Sequence, residues 1–120
     1  DRGFKLLLAP SIPAVIRACA APSLQRFLRD HGVSPARIRH LVLHPGGPRI
    51  METYARILRL PRERLAHARE VLRTCGNMSS PSALFVLERV MKDPAVKPGD
   101  LGLLTAVGPG FSSETSLLRF

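Results

Sequence analysis

Two residues of this chain have the type and setting of groups that could do chemistry. His44 stands in Leu43-His44-Pro45-Gly46-Gly47-Pro48, directly after the apolar run Ile38–Leu43. Asn77 stands in Cys75-Gly76-Asn77-Met78-Ser79-Ser80-Pro81, between two helical patterns. A histidine after a buried strand and before two glycines is a candidate catalytic group, and a carboxamide N–H such as that of Asn77 can donate to a developing oxyanion. Each also has a plainer reading. A histidine can simply cap a strand end, and a turn asparagine tolerates the left-handed conformation while bonding its own backbone. The other histidines sit elsewhere. His31 and His67 fall within or at the end of helical stretches, His40 alternates with apolar neighbours before His44, and all three are expected to be structural.

The cysteines add no second centre. Cys19 and Cys75 show no metal-ligand spacing and are too few for a disulfide framework, so no metal site is expected and reduced thiols in a cytoplasmic protein fit best. Cys19 shares a predicted helix with Val15 and Ile16 and reads as core. Cys75 lies two residues before Asn77.

The elements that position these residues follow an α/β order. Phe4–Ala9 reads as a buried strand. A helix starts near Ala14, and Pro22 and Ser23 open another to about His31, with Leu24, Phe27 and Leu28 on one face. Gly32 stops it. Ile38–Leu43 reads as a strand, followed by helices from Arg49 to Leu58, with Pro48 in its first turn, and from Pro61 to about Thr74. Ser80 is suited to cap a helix that begins with Pro81 and reaches Lys92. Residues 93–100 form a surface loop. Leu101–Val107 and Thr115–Phe120 read as two antiparallel strands joined through Gly108-Pro109-Gly110-Phe111. Ligands of such sheets sit beyond the carboxyl ends of strands, which is where His44 and Gly108 fall.

Composition bounds the function classes. The chain has 120 residues, 45% hydrophobic and 22% charged, so one domain over residues 1–120 with a modest core is expected. No apolar stretch approaches the roughly 20 residues of a membrane span. No basic segment followed by an apolar run marks a signal peptide. A chain that opens at Asp1, almost inside a predicted strand, is expected to be part of something longer. The net charge of +9 comes from 15 Arg and 3 Lys spread along the whole length. Without basic residues interleaved with aromatics, a solvated arginine-rich surface is expected rather than a nucleic-acid site. The same charge would also attract a small anionic ligand.

LHPGGPRI (residues 43–50) resembles the histidine motif of type III polyketide synthases, the chalcone and stilbene synthase family of the thiolase superfamily. CGNMSSPSALFVLE (residues 75–88) resembles their asparagine motif, and AVGPGFSSETSLLRF (residues 106–120) their C-terminal end. GFKLLLAPSIP (residues 3–13) is similar to the segment that precedes this region in bacterial-like members. The resemblance implies the C-terminal half of a thiolase-like fold, a mixed sheet covered by helices. It implies an acyltransferase that condenses acyl-CoA starters with malonyl-CoA by decarboxylative Claisen condensation, with no cofactor beyond these CoA thioester substrates. His44 and Asn77 would form the oxyanion hole, and His44 would hold a nucleophilic cysteine as thiolate. Gly46, Gly47, Gly108, Pro109 and Gly110 would shape the substrate cavity. That cysteine would belong to an N-terminal half of the same fold, absent here, so the fragment alone is expected to be inactive and to expose an apolar face. The full enzyme would be a homodimer. Two alternatives stand beside it. One is a relative of ketoacyl-carrier-protein synthase III, whose motifs differ from Pro45-Gly46-Gly47 and Met78-Ser79. The other is a non-catalytic basic binding module.

Overall fold

The computed structural model describes residues 10–108, 110 and 112–120. The expected strand over residues 4–9 and the side chain of Pro109 lie outside the described residues. Three strands form one mixed sheet: β1 (Ile38–Leu43), β2 (Leu101–Val107) and β3 (Ser113–Arg119), in the order β1-β2-β3. β1 and β2 are parallel, with Leu43 opposite Thr105. β2 and β3 are antiparallel, with Thr105 opposite Thr115. Parallel neighbours require a long crossover. Here it comprises α3 (Pro48–Leu58), a 3-10 turn (Arg62–Leu65), α4 (Ala66–Cys75) and α5 (Pro81–Met91). Helices therefore cover the mixed sheet, and consecutive residues Leu41, Val42 and Leu43 are all buried, as a strand packed on both faces demands.

The N-terminal helical region departs from the two separate helices expected there. α1 (Ile12–Val15) and α2 (Ala21–Asp30) join through a π-helical turn at Ile16–Ala20, in which the Ala21 N–H donates to the Ile16 carbonyl. Pro22 explains the wide turn. It has no N–H to give and its ring crowds the carbonyl four residues back, so the chain widens there instead of breaking. The buried stripe then runs Ile16, Ala20, Leu24, Leu28 at intervals of four. Cys19, expected in the core, falls beside that stripe and is exposed.

The remaining helix starts show one substitution of roles. Ser80 makes no side-chain cap to α5. Ser82, the second residue of α5, instead accepts the N–H of Met78 in the loop before the helix at 2.8 Å. Pro61 is extended, and the segment after it begins as a 3-10 turn before α4.

The structural histidines pin the end of the crossover remote from His44. His67, in the first turn of α4, contacts Asp93 just beyond α5 at 2.9 Å. His40, on β1, contacts Asp100 just before β2 at 2.9 Å, and its ring meets Phe120 edge-on at 5.5 Å. Gly102 makes room for that ring: a Cβ there would lie 2.6 Å from Phe120 Cε2. The backbone N–H of Ala95, then His67, hold the Asp93 carboxyl below its ordinary range. For Asp100, His40 acts first and the Lys97 N–H second. A carboxyl depressed by folding stabilises above its unfolded value of about 3.9, and that contribution is lost as pH falls through the folded value. The urea midpoint should therefore drop between pH 5 and pH 2, and Asp100→Asn should flatten that drop while lowering the midpoint at pH 7.

Candidate active site

His44 sits at the carboxyl end of β1, its backbone N–H still bonded to the Thr105 carbonyl of β2 at 3.1 Å. The chain then doubles back, with the Gly46 N–H on the His44 carbonyl at 2.9 Å. This turn folds the imidazole over Gly46. A Cβ at Gly46 would lie 3.4 Å from His44 Cδ2, 3.6 Å from Nε2 and 3.2 Å from Ile50 Cδ1. An added Cβ would thus be in ordinary contact with the ring and would need Ile50 to give by a few tenths of an ångström. Partial burial lowers the His44 pKa from its ordinary 6.5, so the neutral imidazole prevails at neutral pH. Its contribution to stability is present above the unfolded value and lost as pH falls through the folded one. The His44 Cε1–H resonance should accordingly titrate with a midpoint below 6.5.

Asn77 is held by its own turn. Its Oδ1 accepts the Ser79 N–H at 2.9 Å, and Ser79 takes a positive φ of 65°. Because the backbone partner is a donor, the oxygen must face it, which leaves the Asn77 NH2 as the group turned outward. The plain reading of Asn77 as a turn residue is therefore correct, and the turn is what presents the amide. Contacts elsewhere fix where this loop lies. The His67–Asp93 pair joins the start of α4 to the end of α5, so these helices are antiparallel and the loop around Asn77 lies at their other end. Asp93–Asp100 leads into the start of β2, which is parallel to β1. The Asn77 loop thus lies toward the carboxyl edge of the strands, where His44 also sits. Both loops run into helix N-termini, α3 and α5, whose partial positive charge favours an anion.

Gly46 and Gly47 also line an open cavity of about 420 Å³ with Pro10, Ile12, Pro13 and Arg49. Its walls are apolar, and Arg49 is exposed with no carboxylate among the described residues paired to it. Gly108 follows β2 at the same edge as His44, and its N–H bonds the Ser112 carbonyl at 2.9 Å. Gly110 has a φ of 70°.

Two neighbours of this edge escape a sequence reading. Tyr54, on α3, is 1% exposed, and its hydroxyl completes no hydrogen bond among the described residues. Burial pushes its pKa up, opposed by the nearby Ser113 and Thr105 hydroxyls. Thr105 is fully buried, its Oγ1 3.3 Å from Thr115 Oγ1. The only signals were a tyrosine on the apolar face of a helix and a threonine in an apolar strand, both of which also occur in ordinary cores.

The pattern described as "Chalcone and stilbene synthases, C-terminal domain" matches residues 1–120. This chain belongs to that family. It is 39% identical over 118 residues to a 1,3,6,8-tetrahydroxynaphthalene synthase of Streptomyces peucetius subsp. caesius, covering 98% of this chain and 31% of the relative. It is 36% identical over 120 residues to a putative chalcone synthase of Bacillus subtilis, covering 100% of this chain and 33% of that protein. The crystal structure of 1,3,6,8-tetrahydroxynaphthalene synthase from Streptomyces coelicolor, a bacterial type III polyketide synthase, superposes with a TM-score of 0.88 at 31% identity, over 98% of this chain and 34% of that one. PKS-I from the brown alga Ectocarpus siliculosus gives 0.86 at 35% identity, over 98% and 32%. The fold is therefore the thiolase-like α/β fold of type III polyketide synthases. The chain spans about a third of the length of these relatives. No helix among the described residues is long and apolar enough to cross a membrane.

Proposed function

We propose that this domain supplies the charge-stabilising part of a type III polyketide synthase site that condenses acyl-CoA starters with malonyl-CoA. The observation that carries the proposal is the geometry of two loops. A half-buried imidazole lies over Gly46, an asparagine amide is turned outward by its own backbone, and both stand at helix N-termini toward one edge of the sheet. A cysteine thiolate takes the starter acyl group and releases CoA. Malonyl-CoA then loses carbon dioxide, and the electron pair of the broken C–C bond becomes an enolate whose charge rests on the thioester oxygen. His44 and Asn77 donate hydrogen bonds to that oxygen. The enolate carbon attacks the acyl thioester, forming the new C–C bond and returning the cysteine as thiolate.

The thiolate lies outside these residues in this account. Cys19 and Cys75 are both exposed, Cys19 on a helix remote in sequence from both loops and Cys75 at the end of α4. Burial favours neutral His44, so a thiolate brought against it must raise the imidazole pKa again for an ion pair to form. The Gly46–Gly47 cavity, with apolar walls and an Arg49 that pairs with no carboxylate among the described residues, suits the arm of a CoA thioester and the phosphates at its end. On α5, Leu84, Phe85 and Met91 are 63%, 44% and 66% exposed, a face fitted to the nucleophile-bearing half.

Incubation of the intact polypeptide with a fatty acyl-CoA and malonyl-CoA tests the proposal, followed by mass spectrometry of the products. Pyrone or resorcinol-type products are expected from the intact polypeptide and none from the 120-residue chain alone. Turnover by the short chain would show that the nucleophile lies within it.

A further inference from the structure

The Asn77 amide is aimed by two hydrogen bonds, and one of them comes from a residue with no part in the chemistry above. The first runs from the Ser79 N–H to Asn77 Oδ1 and fixes the side chain. The second is made by Ser82, the second residue of α5, whose Oγ accepts the Met78 N–H at 2.8 Å. That N–H belongs to the peptide unit attached directly to the Asn77 α-carbon. A peptide unit is planar, so holding its N–H fixes ψ of Asn77, the one soft backbone torsion on that side. Side chain and backbone of Asn77 are thus held separately, and the NH2 takes the direction that both allow.

Serine is not the residue that this place favours on other grounds. The Ser82 side chain is 0% exposed, on the packed face of α5 that also carries Ala83, Val86 and Val90. Alanine is a better helix former there and buries no polar atom. A hydroxyl taken fully out of water is costly unless it is bonded, and the bond that Ser82 makes reaches back into the Asn77 loop. The loop needs such a hold. Ser79 takes a φ of 65°, a left-handed conformation that a residue other than glycine adopts at a cost. Met78 packs against the hydrophobic core, which hinders its N–H from turning to water instead.

We propose that Ser82 is a positioning residue for Asn77: by holding the Met78 N–H, its Oγ fixes the direction in which the Asn77 NH2 is offered to the enolate oxygen. The role in catalysis rests on the proposed condensing function; the hold on the loop does not. Ser82 touches no reacting atom. Its loss leaves malonyl-CoA binding intact and slows the step that needs the donor.

The test uses Ser82→Ala, Ser82→Cys and, as a core control on the same helix, Val86→Ala, all in the intact polypeptide. Hydrogen exchange of the Asn77–Ser79 turn reads the hold. Carbon dioxide release from malonyl-CoA, resolved into kcat and KM, reads the catalytic consequence. Ser82→Ala should speed exchange in the turn about tenfold or more, the loss of one hydrogen bond. It should lower kcat about 5–30-fold with KM within about twofold, as a misaimed donor would. Ser82→Cys, close in size but a weaker acceptor, should fall between alanine and wild type in both. Added to Asn77→Ala, Ser82→Ala should lower kcat by less than about twofold more, because it acts only through Asn77. Val86→Ala should lower the thermal midpoint at least as much as Ser82→Ala and keep kcat within about twofold. Unchanged exchange in Ser82→Ala would overturn the hold. An unchanged kcat, an effect confined to KM, or a full further loss on top of Asn77→Ala would overturn the positioning role. If the wild-type polypeptide releases no carbon dioxide from malonyl-CoA, the condensing function fails and the catalytic role of Ser82 with it, and the exchange result still decides the hold.

Discussion

Replacing Asn77 by Ala is expected to slow polyketide formation by the intact polypeptide roughly 10²–10³-fold, the usual loss for one oxyanion donor, or about 2.7–4 kcal/mol of barrier. Alanine also removes the Oδ1 that accepts the Ser79 N–H, in a turn where Ser79 sits at a φ of 65°. Asn77→Asp separates the two effects. It keeps the acceptor for Ser79 and loses only the NH2 donor, placing a negative charge where the enolate forms. The Asp variant should therefore match or exceed the activity loss of the Ala variant while keeping more of its thermal stability. His44→Gln, which retains an amide donor on a longer and differently aimed side chain, should lose rate as well. The double variant should lose less than the product of the two single losses if both donors serve one oxygen, as proposed. Initial rates at saturating malonyl-CoA check these expectations.

Gly46→Ala is expected to reduce turnover by up to about tenfold with little effect on folding. The added Cβ would lie 3.2 Å from Ile50 Cδ1, which must give by a few tenths of an ångström, and in ordinary contact with the imidazole at 3.4 Å. Where Ile50 does not yield, the strain passes to the ring, and a displacement of about 1 Å at a reacting group can cost about 10²-fold, a smaller one less. Ile50→Val removes the competing methyl group. If crowding is the cause, Gly46→Ala with Ile50→Val should recover part of the rate. A bulkier Gly46→Val should be worse and should not be rescued. Circular dichroism and the thermal midpoint distinguish this from unfolding, and kcat is the readout that should move.

How far the sequence led can be judged from particular residues. β1, α3, α5 and the antiparallel β2–β3 pair were legible because apolar runs ended at proline and glycine signals, such as Pro48 and Pro81 at the two helix starts. The π-helical turn was not legible. Pro22 looks like the start of a new helix, and only the packing of Ile16 and Ala20 shows that the chain widens around it. Cys19 was misplaced for the same reason, since the one-residue shift of a π turn moves the buried stripe. Ser80 fitted a cap by type but makes no cap, while Ser82 at the helix start accepts the Met78 N–H of the preceding loop.

The candidate site divides in the same way. His44 and Asn77 stood out through the residues around them, two tight loops each leading into a helix. That their loops lie toward one edge follows from the His67–Asp93 and His40–Asp100 contacts, whose partners are 26 and 60 residues apart and carry no local signal. Tyr54 and Thr105 were invisible as polar groups, because their burial depends on register and helix packing. The nucleophile proposed to complete the site leaves no trace within these residues, beyond the poor fit of Cys19 and Cys75 to that role.

In the proposed reaction His44 and Asn77 stabilise the enolate formed when malonyl-CoA loses carbon dioxide, while the thiol serves only acyl transfer. Release of labelled carbon dioxide from malonyl-CoA, measured without any starter, tests this most directly. In the intact polypeptide, Asn77→Asp should cut the release at least a hundredfold, whereas replacing the nucleophilic cysteine should leave it within about tenfold while abolishing chain extension. Carbon dioxide release by Asn77→Asp at the wild-type rate would contradict the account.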